Sequence, residues 1–146
     1  MSTDDVARRR EEAREKAAYH AQAAAREQQR DAAAAAVVLQ RGAAQAREAG
    51  IAGTELRARP YSGRGRFRTG VRGWYVKRDG SLGVGEDGRW YVLVVPPSLR
   101  ARFTGIDLEP SDASLQVGKG ARDGESIELE VLLRQRLEAG DDFPQP

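Results

Sequence analysis

The chain contains no cysteine, so disulfide staples and thiolate metal sites are excluded. It has a single histidine, His20, set among Ala, Arg, Glu and Gln. Nothing rigid surrounds that imidazole to hold it in a triad or a metal set. Long hydrophobic runs are also missing. The longest uncharged apolar stretch, Ala32 to Leu39, is eight residues, and a membrane span needs roughly 20. The start, Met1-Ser2-Thr3-Asp4-Asp5, lacks the basic and apolar regions of a signal peptide. A cytoplasmic protein that does not enter a membrane is the expectation.

One further absence is local. Between Leu56 and Arg78 there is no acidic residue, and there are eight Lys or Arg. The net charge of +2 hides this unevenness: residues 1–50 carry +1, residues 51–78 carry +7 and residues 79–146 carry −6. A basic waist above an acidic region bears on partner choice more than the total does.

Residues 1–50 read as one long helix over 4–49. Ser2 or Thr3 supplies the N-cap, and Asp4 and Asp5 favour the positive end of the helix dipole. The body is built of Ala, Arg, Glu, Gln and Lys, all strong helix formers. Gly50 stands where a helix is commonly terminated, followed by Ile51. Gly42 is an interior blemish costing about 1 kcal/mol, where a bend is possible. The first half has no apolar stripe. In the second half Ala35, Val38, Leu39 and Ala46 share a face able to pack on the β-rich domain or on a partner helix. No strict heptad is sustained, so a regular coiled coil is not expected.

Residues 51–73 read as a basic Gly/Arg hinge, within which Pro60 stops helix propagation. Residues 74–140 read as a small β-rich domain. Asp79-Gly80 and Asp87-Gly88 sit between β-rich runs and predict two hairpins in a three-stranded meander. Short strands are expected near Ala101 to Ile106 and Leu115 to Val117. Residues 126–139 fit both a strand and a helix pattern, and their length favours a helix stopped by Gly140. The tail, 141–146, reads as disordered. The fold class is α+β: a long N-terminal helix, then a small antiparallel sheet closed by one C-terminal helix. The predicted core includes Trp74, Val76, Val84, Trp90, Val92, Phe103, Leu132 and Leu133.

Motifs for catalysis are weak. Gly83 to Gly88 spells G-x-G-x-x-G, yet it lies inside a hairpin and carries Glu86 and Asp87, which repel a pyrophosphate. Lys119 and Arg122 precede the last helix and could meet an anion at its N-terminus, but Asp123 and Glu125 oppose that, and a plain loop is favoured. The acid pairs Glu86/Asp87, Asp107/Glu109 and Asp141/Asp142 sit in turns or the tail, where solvation accounts for them. No enzyme, cofactor, metal or small-molecule ligand is expected.

Two readings remain. In the first, the protein is a non-enzymatic interaction or assembly protein. Its helix self-associates or docks on a protein partner through Ala35, Val38, Leu39 and Ala46. In the second, it binds nucleic acid through the segment 57–78, using Arg59, Arg64, Arg66, Phe67, Arg68 and Arg72. Arginines pair with phosphates and aromatic rings stack on unpaired bases. The competing explanation of the waist is that its arginines pair with the protein's own acidic region.

Overall fold

A computed structural model describes residues 2–118 and 125–146. Helix α1 spans Thr3–Glu48, 46 residues, and so runs about 69 Å at about 1.5 Å per residue. Ser2 caps it by accepting a hydrogen bond from the Asp5 amide (3.2 Å). The far end closes with paired reverse bonds, Gly50 N–H to Arg47 O (3.0 Å) and Ile51 N–H to Ala46 O (3.0 Å). The helix does not break at Gly42. A Cβ there would lie 2.9 Å from Leu133 Cδ1, so the glycine lets the C-terminal helix approach. No helix among the described residues is long and apolar enough to cross a membrane.

The waist is not a hinge. It forms strands β1 (Thr54–Pro60) and β2 (Phe67–Tyr75), followed by β3 (Leu82–Gly85), β4 (Trp90–Val92) and β5 (Val94–Val95). The Asp-Gly turns fall at the ends of β3, as the sequence predicts, so β2, β3 and β4 form the meander. The sheet order is β4-β3-β2-β1-β5, antiparallel except for β1 with β5. Its two edge strands are separated in the chain by Leu93 alone. Leu93 donates its N–H to Ser81 O and accepts from Arg59 N–H, each at 2.8 Å. The sheet thereby closes on itself as a small barrel.

Successive strand residues point to opposite faces, and this barrel uses both. Inside lie Leu56, Tyr75, Tyr91 and Leu93. Outside, Trp74, Val76, Val84 and Trp90 pack against Ala35, Leu39, Ala43 and Ala46 of α1. Helix α3 (Leu129–Ala139) covers the same outer face with Leu129, Leu132 and Leu133. The Trp74 indole N–H donates to Ile51 O (3.1 Å) at the helix-to-barrel turn. A register shift in β1 between Glu55 and Arg57 frees two backbone groups. The Tyr75 hydroxyl accepts from Arg57 N–H (2.8 Å), and the Thr69 hydroxyl donates to Leu56 O.

Several sequence expectations are corrected. The region near Ala101 to Ile106 holds a four-residue helix, α2 (Ala101–Thr104), in place of a strand. Ile127–Glu128 form β7 against β6 (Gln116–Val117), and α3 starts only at Leu129. The tail is not disordered at its start: Gly140–Asp142 make a helical turn and Phe143 packs on the barrel interior. Arg136 holds it there. Its Nε donates to Tyr75 O and its Nη1 to Gly140 O, both at 2.7 Å, and its guanidinium lies 4.4 Å from the Phe143 ring centre. Burial pushes the Arg136 pKa down, and the Asp141 charge works the other way.

Gly73 is the tightest point of the sheet. A Cβ there would run into the Val84 carbonyl oxygen and Gly85 Cα, which are backbone and cannot turn aside. Gly73→Ala is expected to cost about 1–3 kcal/mol by overpacking. Gly42→Ala is expected to cost less, because a gain of about 1 kcal/mol in helix propensity offsets the shift of Leu133. Urea unfolding midpoints of the two variants check the ranking.

Candidate nucleic-acid interface at one end of the barrel

The arginines named from the sequence divide into two groups. Arg72 sits beside the end of α1. It donates to Gly53 O (2.9 Å) and lies 3.8 Å from the Glu86 carboxylate. Such an exposed pair contributes about 0–1 kcal/mol. Arg64, Arg66 and Arg68 lie at the other end of β2 and in the loop before it, all exposed. Arg57 is directly across the sheet from Arg68. Like charges at one register position are unfavourable, and among the described residues no carboxylate forms an ion pair with either. Arg59 is also exposed and without an ion pair there, although it lies near enough to Asp79 to be felt. Burial works against the Asp79 carboxylate, but the Ser81 hydroxyl and amide, with Lys77 and Arg59, outweigh it and hold its pKa below the ordinary 3.8. Among the described residues, Arg72 makes the only ion pair of the waist, and Asp79 adds a longer-range attraction to Lys77 and Arg59.

Phe67 does not belong to an exposed platform. It is 1 % exposed, with its strand partner Ala58 buried beside it. The proposed partner face of α1 is also taken. Ala35, Leu39 and Ala46 are buried and Val38 is half-buried, all against the protein's own core. Lys119 and Arg122 lie outside the described residues.

The fold brings a second basic segment to the Arg64 loop. After β5, residues 96–100 lead into α2, which packs on β2. The Ser98 hydroxyl accepts from Ala101 N–H (3.2 Å), and the Ile106 amide donates to Arg68 O (2.8 Å). Arg102 Nη2 donates to Arg64 O (3.1 Å), which ties the two segments together. Between them lies a cleft of about 210 Å³, with Pro60, Phe67 and Pro97 among its lining and Arg64, Arg102 and Leu99 beside them. Three large apolar side chains on these segments stand in solvent: Tyr61 at 68 %, Leu99 at 76 % and Phe103 at 90 % exposed.

Sequence reasoning missed Arg57, Arg100, Arg102 and Leu99, and placed Phe103 in the core. One signal was present: residues 88–106 contain Arg89, Arg100 and Arg102 and no acid. Among the described residues, no group of three His, Cys, Asp or Glu side chains could hold a metal ion. No protein-family model, curated protein or solved structure matches the chain.

The two phenylalanines separate core from surface. Phe67→Ala is expected to destabilise by about 3–5 kcal/mol, as for a buried ring. Phe103→Ala is expected to change stability by no more than about 0.5 kcal/mol. Equilibrium denaturation of both variants tests this assignment.

Proposed function

We propose that the protein is a non-enzymatic nucleic-acid-binding module whose contact surface is the arginine-rich end of the barrel. The observation that carries this reading is the meeting of two acid-free segments. Arg64, Arg66, Arg68, Arg100 and Arg102 cluster there around exposed Tyr61, Leu99 and Phe103. Among the described residues no carboxylate forms an ion pair with these guanidiniums, and such groups suit phosphate, which takes them in bidentate pairs. Exposed rings beside them supply the apolar half of such a contact.

Binding should weaken steeply with salt, because each phosphate contact releases counterions and contributes about −0.7 to −0.9 to the slope of log K against log salt. Changing Arg64, Arg66 and Arg68 together to Gln is expected to weaken binding and flatten that slope. Arg72→Gln is expected to leave both unchanged. Fluorescence anisotropy titrations at several salt concentrations measure these quantities, and a triple variant that binds like the unaltered protein refutes the assignment.

A second, compatible reading rests on α1. Every described residue from Arg8 to Arg30 is exposed. An isolated helix is marginal in water and gains from a partner. This supports self-association, or docking on a protein partner, through the projecting half of α1 in place of the buried Ala35–Ala46 stripe. Light-scattering mass of the full chain and of a chain lacking residues 2–28 is expected to show a loss of association on deletion. A monomeric full chain that gains no mass at high concentration rejects self-association.

A further inference from the structure

The cleft at the barrel end is more specific than a charged patch, and we infer that it takes an unpaired nucleotide, so that the ligand is single-stranded nucleic acid. This inference rests on the nucleic-acid reading above.

Three features of the cleft carry it. First, its shape is wrong for a duplex. Reading a major groove takes an α-helix or a two-stranded ribbon that can enter it, whereas the convex element here, α2, has four residues. The surface it borders is concave and small, about 210 Å³. Second, the lining is divided by chemistry. Pro97 and Leu99 offer exposed apolar surface to a base, Pro60 and Phe67 are buried in the same wall, and Arg64 and Arg102 stand beside them for the phosphate. Arg102 uses one nitrogen on Arg64 O, which holds its guanidinium in place and leaves other N–H donors for a ligand. Third, Tyr61 and Phe103 stand exposed on the two segments that form the cleft. Neither ring is needed for packing, so each is available to stack on a neighbouring base. A base held inside a duplex presents no face to such rings, whereas an unpaired one presents both.

The alternative occupant is an acidic protein segment. It would satisfy the arginines equally well, but it has no general use for exposed stacking rings.

The test uses the full chain and four labelled probes at one low salt concentration. These are a single strand of mixed sequence, the same sequence as a duplex, the same backbone without bases, and polyglutamate. The single strand is expected to bind at least tenfold more tightly than the other three. Phe103→Ala and Tyr61→Ala are each expected to weaken single-strand binding by about fivefold to a hundredfold, the range found for a lost base–aromatic stack, without changing the salt slope. Both positions are exposed, so loss of folding does not confuse the result. If the duplex or the abasic strand binds as tightly as the single strand, the cleft does not take a base, and this inference falls while nucleic-acid binding stands. If polyglutamate binds as tightly as the single strand, or if no nucleic acid binds, the inference and the reading beneath it fall together.

Discussion

The peptide unit of Leu93 holds the barrel closed. Its N–H is given to Ser81, the residue before β3, and its carbonyl to β1, so one residue joins the two edges of the sheet. Its side chain is fully buried in the same interior that Leu56, Tyr75 and Tyr91 fill. A two-edged sheet of this size would expose unpaired backbone on both sides; closure removes that liability. It also decides where everything else goes. Because the strand containing Leu93 returns to β1, the chain leaving it emerges beside the β1–β2 loop. Two basic segments far apart in sequence therefore become neighbours.

The outer face of the barrel is the other half of the construction. Trp74, Val84 and Trp90 need cover, and α1 and α3 provide it. Gly42 allows the two helices to meet closely, and Arg136 fastens the end of α3 to the strand carbonyl of Tyr75. Buried charge of this kind is tolerated because its donors are used and an aromatic ring lies against it. Among the described residues, the buried part of α1 falls in its second half, and near it the Asp31 carboxylate accepts from the Leu115 amide (3.3 Å). The described residues from Arg8 to Arg30 are exposed.

Much of the fold was legible because the relevant signals are local. Ser2, Gly50 and Gly140 mark ends of helices through backbone chemistry, and the two Asp-Gly pairs mark turns in the same way. Strands β1 and β2 were hidden. Their inward positions are filled partly by Ala58, Pro60 and Thr69, which do not read as a hydrophobic alternation, and glycines and arginines between them imitate a linker. Periodicity identified the apolar stripe of α1 correctly but says nothing about what covers it, and the cover proved to be the protein's own barrel. The site was half legible for a related reason. Composition located Arg64, Arg66 and Arg68, but only a tertiary contact brings Arg102 beside them. Phe67 and Phe103 look alike as residues; strand pairing buries one, and a short helix turned to solvent exposes the other.

The exposed half of α1 gives the molecule a lever arm. Residues 3–30 extend about 42 Å at about 1.5 Å per residue from the point where the helix leaves the barrel. A compact body with a rod attached experiences more drag than its mass implies and tumbles anisotropically, slowly end over end and faster about the rod. Anything that grips the tip fixes the orientation of the barrel as well as its position, because the other end of the same helix is built into the barrel's outer wall.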